Sequence, residues 1–482
     1  MARFFADLLT ASRQETRPLI TLALPICGAQ LAQAGMSVVD VMMTGRLSAT
    51  DLAAVSVGSS LWMPLMLFMT GTLMGLTPIV AQLLGGGQTP RIRPNVHQAL
   101  WVGLGLGIAA ALLLGFAVMP VFRLMGVPEA VAQHSAEYLA AVALGMPGMA
   151  LFQALRAFSD GMNHTRPSLW ISLVGLAVNI PSNFVLIYGG AGLTDLFGPG
   201  LPAWLQALPA LGALGCGLAT ALSFWVMGLT MAAYTRRSPA YGDVALWHSP
   251  TPPRLALIGE LLYVGVPIGV AIFVEVTLFT LIALFIASLG EVTVAAHQVA
   301  LNYTSILFML PLSLSMALTV RVGNTLGQAR PAHARLVAWN GVALCLLVAG
   351  LNSTLLWLTA EPVIALYTHD AAVQRLTLSL VILAMIFQVS DSMQVNLAGA
   401  LRGYKDTRVV MGITLIAYWL VGLGGGHTLG EYGLFGQIAP MGVHGYWVGL
   451  IAGLTAAALL LGERLRRVAK GVANGEVEIP RS

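Results

Sequence analysis

Long stretches without any charged residue are the feature that most restricts how this chain of 482 residues can fold. No Lys, Arg, Asp or Glu occurs in residues 52–90, 98–122, 167–194, 196–235 or 336–360. A helix needs about 20 apolar residues to cross the hydrocarbon core of a bilayer. Because these stretches are continuously apolar rather than alternating, they indicate membrane-spanning helices and argue against a transmembrane β-barrel.

The composition excludes several other classes of protein. Only 9% of the residues are charged and 57% are hydrophobic, whereas a soluble domain carries roughly 25% charged residues. This excludes an ordinary soluble enzyme, a disordered chain and a disulfide-stapled secreted domain. The net charge of +4 argues against a nucleic-acid partner and leaves the lipid bilayer as the expected surroundings. Cys27, Cys216 and Cys345 lie in apolar runs without CxxC spacing, so neither a disulfide framework nor a zinc site is expected.

Breaking the apolar stretches at Gly, Pro and polar clusters predicts twelve transmembrane helices, and therefore an all-α polytopic membrane protein. The predicted spans are 18–42, 52–82, 97–120, 137–157, 168–189, 211–233, 258–287, 294–322, 336–358, 376–401, 410–430 and 441–462.

The basic residues predict how these helices are oriented. Arg46, Arg123 and Arg375 fall in the odd-numbered loops, and the other 21 basic residues fall in the termini, the even-numbered loops and the span ends next to those loops. Loops on the cytoplasmic side carry the excess of Lys and Arg. The split therefore predicts a multi-pass protein with both termini in the cytoplasm.

The two halves of the chain match each other at an offset of 242 residues. Pro25 falls on Pro267, and Leu84-Gly85 falls on Leu326-Gly327, with no gap from residue 19 to residue 85. Six helices per half is an even number, so both halves enter the membrane from the same side. We therefore expect two six-helix lobes as parallel repeats, related by a pseudo-two-fold axis along the membrane normal, as in many transporters.

The predicted domains follow from this repeat. They are an N-lobe (1–233), a cytoplasmic linker rich in proline (234–257), a C-lobe (258–465) and a polar C-terminal tail (466–482).

Three acidic residues lie inside predicted spans and away from the residues at the span ends that reach the loops: Asp40, Glu275 and Asp391. A carboxylate at the centre of a bilayer costs about 2.5–3.5 kcal/mol on insertion scales. We expect no Lys or Arg at the same depth to pair with them, so each must face water, become protonated or hold a cation. The alternative, a carboxylate at a helix end that merely reaches the interface, applies best to Asp40.

Polar side chains share a helix face with two of these acids. Gln33, Ser37, Asp40 and Thr44 are spaced 4, 3 and 4 apart, and Gln388, Asp391 and Gln394 are spaced three apart. Asn179 and Asn183 are four apart and face together on another helix. Such polar stripes also act as plain hydrogen-bonding contacts between helices, which are worth about 1 kcal/mol or less. Glu275 has only apolar neighbours on its own helix, so any partner must come from another helix.

Several motifs in the chain are similar to those of one transporter family. SVVDVMMTGRLSATDLAAVSVG (37–58), LRAFSDGMNHTRP (155–167) and SDSMQVNLAGALRGYKDTR (390–408) resemble the multidrug and toxic compound extrusion (MATE) family, in its bacterial NorM-like branch. The resemblance extends from about residue 15 to residue 465.

This resemblance implies secondary active efflux of organic cations such as drugs and dyes, in exchange for Na⁺ or H⁺, by alternating access of two lobes. It implies a monomer in the bacterial inner membrane, without a cofactor and without enzymatic activity. It assigns the N-lobe cation or proton site to Asp40, with Asn179, Asn183 and Thr220. It assigns the C-lobe site for cation and substrate to Glu275 and Asp391, so that all three carboxylates are candidate Na⁺ ligands.

Other functions are less consistent with the sequence. A flippase for lipids or lipid-linked oligosaccharides, from the same superfamily, would use a cationic cavity for its headgroup, whereas the charges within these spans are negative. No Walker A motif occurs, so ATP is not the expected energy source. An intramembrane enzyme would need a nucleophile beside a base, or a metal cluster, but His297, His427 and His444 lie near helix ends and far from the acids in sequence.

Overall fold

The computed structural model describes residues 2–116, 118–198, 200, 202–433 and 439–476. In this part of the chain, twelve helices are long and apolar enough to cross a membrane, and we label them α1–α12. Their bounds are Gln14–Leu47, Ala49–Gly85, Thr89–Phe116, Glu129–Gly161, Arg166–Asp195, Gly212–Arg237, Leu255–Leu289, Glu291–Gly327, Pro331–Tyr367, Ala371–Gly403, Thr407–Tyr432 and Val443–Ala473. The predicted all-α class and the number of spans are confirmed.

The helices are longer than the predicted spans. The span predicted at 137–157 belongs to α4, Glu129–Gly161, and the span predicted at 336–358 belongs to α9, Pro331–Tyr367. The apolar pattern marks only the part of each helix that matches the hydrocarbon core, whereas intrahelical hydrogen bonding continues into the headgroup region. At the C-terminal end, α12 continues through a polar segment in which Glu463 pairs with Arg466 and Arg467 at 2.7 and 2.6 Å.

Three of the spanning helices are interrupted. Gly75 separates two helical stretches of α2, Gly189 in α5 has a φ of +63°, and α11 contains π-helical stretches at Ile416–Gly424 and Thr428–Tyr432. A Cβ on Gly189 would lie 2.6 Å from the backbone of Pro209 and Ala210, so this position needs glycine for space as well as for its φ. Such interruptions are common near functional sites in membrane proteins.

The contacts divide the chain into two compact units. The first unit comprises Gly28–Leu76 and Thr89–Gly265, and the second comprises residues up to Cys27, Thr77–Gln88 and the chain from Val266 onwards. Asp40 belongs to the first unit, and Glu275 and Asp391 belong to the second. These units follow packing rather than sequence order, and the lobe boundaries drawn from the sequence stay a prediction.

Packing inside the second unit reflects the internal repeat. A Cβ on Gly85 would lie 2.0 Å from the carbonyl oxygen of Asn324, and one on Gly327 would lie 2.0 Å from that of Gln82. Gln82 and Asn324 are separated by the same 242 residues as Gly85 and Gly327. The two contacts are therefore reciprocal, as expected where a two-fold relation brings equivalent surfaces together.

The segment predicted as a linker is partly packed rather than fully solvated. It forms a short 3₁₀ helix at Pro239–Val244, and the side chains of Tyr241 and Leu246 are buried. Burial raises the pKa of the Tyr241 hydroxyl to about 12. The segment is polar in composition, yet its few apolar side chains suffice to hold it against the first unit.

Candidate functional site

Polar side chains from three helices of the first unit meet at Asp40. The Oδ1 atom of Asp40 accepts hydrogen bonds from Asn179 Nδ2 at 3.2 Å and Asn183 Nδ2 at 2.5 Å. Its Oδ2 atom accepts one from Thr220 Oγ1 at 2.9 Å. Asn183 also donates to Asn179 Oδ1 at 3.1 Å. The structure thus brings together all four residues that the family resemblance assigned to one site.

The surroundings of Asp40 differ from those of a carboxylate that merely reaches the membrane interface. Its side chain is 5% exposed, and both carboxylate oxygens are bonded to buried groups on α5 and α6. All three donors are neutral, so they orient the carboxylate without cancelling its charge. A proton or a cation is the species that such a site can accept.

Two further residues of this cluster were missed from the sequence. Cys216 contacts Asp40, and Tyr138 lies within electrostatic range of it. The Tyr138 hydroxyl is held by Trp62 Nε1 at 3.0 Å. Cys216 precedes Thr220 by four residues on α6, which is a usable signal of a shared helix face. Tyr138 gives no such signal, since its relation to Asp40 depends on how α4 packs.

The acids of the second unit lie close enough to interact. Glu275 on α7 and Asp391 on α10 are within electrostatic range of each other. Asp391 is 3% exposed and accepts a hydrogen bond from Gln394 Nε2 at 3.2 Å. Glu275 is half-buried. Two neighbouring carboxylates repel each other, and a cation or a proton relieves that repulsion.

Several buried polar atoms that are close to Asp391 in sequence, or within electrostatic range of both acids, have no hydrogen-bond partner within the described chain. They include both amide atoms of Gln388, the Ser392 hydroxyl and the Tyr418 hydroxyl. Buried polar groups are normally paired, so an unpaired set beside two carboxylates indicates a place for water, an ion or a polar ligand. Tyr418, which interacts electrostatically with both acids, was missed because it lies on another helix, in a π-helical stretch.

Among the described residues no Lys or Arg forms an ion pair with Asp40, Glu275 or Asp391, but one basic side chain comes within electrostatic range of Glu275, which the sequence did not lead us to expect. Arg402, at the end of α10, is 7% exposed and interacts electrostatically with Glu275, although the two side chains are not within the 4.0 Å of an ion pair. The prediction counted Arg402 as a loop residue by its sequence position. In the fold, its long side chain is buried among helices, and its Nε has no hydrogen-bond partner.

Comparison with the first half of the chain shows why Arg402 lacks the ion pair that its counterpart makes. In the first half, Arg156 lies buried 3.5 Å from Asp160, four residues later. The second half has the same spacing in Arg402 and Asp406, but Asp406 accepts a hydrogen bond from Arg464 at 2.6 Å instead. The arginine of the second half is therefore available to balance a different acid.

A protein-family model described as MatE matches residues 25–185 and 267–426. The two matches begin 242 residues apart, which is the offset of the internal repeat. Together they cover more than half of the chain.

Relatives that carry the name of multidrug resistance proteins cover almost the whole chain. It is 43% identical over 458 residues to the multidrug resistance protein PmpM of Pseudomonas aeruginosa, covering 95% of this chain and 92% of that protein. It is 41% identical over 454 residues to the multidrug resistance protein MdtK of Edwardsiella ictaluri, covering 94% and 95%. It is 42% identical over 457 residues to MdtK of Yersinia pestis, covering 95% and 96%.

Solved structures share the fold at lower sequence identity. The eukaryotic MATE transporter AtDTX14 superposes with a TM-score of 0.81 at 21% identity, covering 97% of this chain and all of that one. A multidrug resistance MATE transporter in an outward-facing conformation superposes with a TM-score of 0.83 at 18% identity, covering 95% and 96%.

Proposed function

This chain belongs to the MATE family of multidrug efflux transporters, which are membrane proteins and not enzymes, and we propose that it exports organic cations in exchange for Na⁺ or H⁺. It is a multi-pass membrane protein whose substrates are small molecules. In the proposed setting it works as a monomer in the bacterial inner membrane, with both termini in the cytoplasm.

One observation carries the proposal: the half-buried Glu275 and the buried Asp391 lie within electrostatic range of each other, close to polar atoms that have no hydrogen-bond partner in the described chain. A cationic cargo and a coupling ion would both be attracted by the same negative charge. If the cargo must leave before the coupling ion binds, and the ion before the cargo, the result is exchange rather than co-transport. The buried Arg402 acts as an internal counter-charge for Glu275 when neither is bound.

Asp40 supplies a second group that can be neutralised. Its neutral donors Asn179, Asn183 and Thr220 hold the carboxylate in place for an incoming proton or Na⁺. We propose that neutralising these acids in turn shifts the protein between alternating-access states. One charge moving across 100 mV is worth about 2.3 kcal/mol, enough for roughly fortyfold accumulation.

A flippase function has less support. The acids in the two clusters are suited to cations, whereas an anionic headgroup would require basic residues at the site. The relatives at 41–43% identity carry names of multidrug resistance proteins, which also favours drug efflux.

The test is ethidium export from vesicles that contain the purified protein, driven by either a Na⁺ gradient or a pH gradient. Asp391→Asn should abolish export, because the neutral amide carries no negative charge to attract a cation. Glu361→Gln, at an exposed position on α9, is the matched control and should transport normally. Wild-type export by correctly inserted Asp391→Asn protein would contradict the proposal.

A further inference from the structure

A cavity of about 460 Å³ lies in the first unit and is lined by none of the residues of the Asp40 cluster. Its walls come from α3, α4, α6 and the connecting segment 238–254. Three tryptophans, Trp101, Trp225 and Trp247, contribute to the lining, together with His97 and apolar side chains such as Leu104. Tryptophan is enriched where membrane proteins cross the boundary between hydrocarbon and headgroups.

The polar atoms of the three indoles are already occupied. Trp101 Nε1 donates to the Thr251 carbonyl at 3.1 Å, and Trp225 Nε1 donates to the Leu144 carbonyl at 2.8 Å. Trp247 Nε1 donates to Thr235 Oγ1 at 3.2 Å. The indoles therefore present only apolar ring surfaces to the cavity.

Both nitrogens of His97 are also occupied. Its Nδ1 accepts a hydrogen bond from the Thr251 backbone at 2.9 Å, and its Nε2 donates to the Leu246 carbonyl at 2.8 Å. The lining contains no carboxylate. The walls thus favour a hydrocarbon occupant over a polar or cationic one.

Two arginines lie close in sequence to residues of the cavity wall. Arg93 precedes His97 and Trp101 by four and eight residues on α3, so the three share one helix stripe. The Nε atom of Arg93 is buried without a hydrogen-bond partner. The backbone N–H of the exposed Arg254 donates to Gln98 Oε1 at 2.8 Å, which fixes the backbone of a second arginine against α3. Asp243 is the one acid in the connecting segment, and it is exposed.

The neighbouring surface is the kind that a bilayer covers. On α3, Leu104, Ile108 and Leu112 are 43%, 45% and 53% exposed. These apolar side chains would lie in the hydrocarbon of the bilayer, so the acyl chains of lipids would lie next to the cavity. Basic pockets at this level bind the headgroups of anionic lipids.

We propose that this cavity binds one acyl chain of an anionic glycerophospholipid, whose phosphate contacts Arg93 and Arg254. The chain lies against the three tryptophans, and the lipid fastens the connecting segment to α3 and α6. This is a structural lipid site, separate from the cation chemistry proposed at Asp40, Glu275 and Asp391.

Native mass spectrometry of the delipidated full-length protein, titrated with phosphatidylglycerol or phosphatidylcholine, tests the site. We expect one phosphatidylglycerol molecule to be retained tightly and phosphatidylcholine to bind more weakly. Arg93→Gln should lower phosphatidylglycerol affinity about fivefold, and Leu104→Trp should fill the cavity and remove the retained lipid. Arg330→Gln, an exposed arginine of the second unit, and Leu112→Trp, eight residues further along α3, are the matched controls.

A second measurement needs no variant. Phosphatidylglycerol with a brominated acyl chain should quench the tryptophan fluorescence of the wild-type protein more than brominated phosphatidylcholine does. Retention of lipid by Leu104→Trp at the wild-type level, or equal quenching by the two lipids, would overturn the proposal. Displacement of the bound lipid by ethidium would also overturn the proposal, since the cavity would then be a site for transported cargo. Asp391→Asn should bind lipid normally, which separates this test from that of transport.

Discussion

At the scale of single residues, the two acidic clusters differ in how their charge is balanced. Asp40 is surrounded by neutral hydrogen-bond donors, whereas Glu275 lies within range of another acid and of a buried arginine. Neutral donors orient a carboxylate but leave its charge to be met by a proton or an ion. A nearby guanidinium competes with any cation that approaches. The clusters should therefore respond differently to substitution.

Thr220→Val removes the donor to Asp40 Oδ2 while keeping the shape of the side chain. A hydrogen bond to a charged group contributes about 1.5–3 kcal/mol, so we expect the apparent affinity for the coupling ion to fall at least about tenfold. The measurement is the concentration of Na⁺, or of protons, that gives half-maximal ethidium export. Thr230→Val, on the same helix α6, should behave like the wild type. Equal affinities in the two variants would remove Thr220 from the site.

Arg402→Gln removes the counter-charge of Glu275. A charge pair at an effective dielectric constant near 20 is worth roughly 1–4 kcal/mol, so cationic substrate should bind at least about fivefold more tightly, measured by equilibrium binding of ethidium to purified protein. Arg402→Lys keeps the charge and should restore wild-type binding. Unchanged affinity in Arg402→Gln would mean that this arginine serves packing alone.

At the scale of helices, the two sequence repeats contact each other where glycines let their helices pack closely. The ends of α2 and α8 approach so closely that the residues at 85 and 327 have no room for a Cβ. Small residues allow this kind of approach between membrane helices, where van der Waals packing replaces the hydrophobic effect as the driving force. The reciprocity of the two contacts means that they should be equally sensitive to substitution.

Gly85→Ala and Gly327→Ala should each destabilise the protein by about 1–3 kcal/mol or more, because the added methyl group overlaps a carbonyl oxygen. The thermal unfolding midpoint in detergent measures this. Gly350→Ala, on α9 with open space around it, should be neutral or slightly stabilising, since alanine favours the helix by up to about 1 kcal/mol. If Gly85→Ala unfolds at the same temperature as Gly350→Ala, the close crossing is not a constraint in the membrane protein.

At the scale of the whole molecule, each unit carries its own acidic cluster. A transport cycle that uses both clusters fails when either is lost. Alternating access requires both units to respond to the same cargo and ion, so their contributions should not be independent.

Asp40→Asn and Asp391→Asn should therefore each reduce export to near background, and the double variant should be no worse than the more damaging single one. Residues that act as a unit give such non-additive effects. Initial rates of ethidium export, normalised to the amount of inserted protein, provide the comparison. Moderate single losses that multiply in the double variant would indicate two independent transport routes.

The sequence by itself determined the class of protein, the number of spanning helices and the three acids within them. These features depend on the high free-energy cost of placing charge in hydrocarbon. That cost applies to each charged residue separately, so it is visible in the sequence. The spacing of Asn179 and Asn183 likewise indicated a polar face, since neighbours on one helix have a fixed geometry.

Only the tertiary structure decided which of these residues meet. Tyr138, Tyr418 and Arg402 contact or influence acids that are distant in sequence, and nothing in their local sequence indicates this. Asp406 pairs with Arg464 rather than with Arg402, although the first half has the corresponding pair at Arg156 and Asp160. The physical reason is that packing between helices sets the distances between side chains on different helices, whereas the sequence specifies only the face and depth of each residue on its own helix.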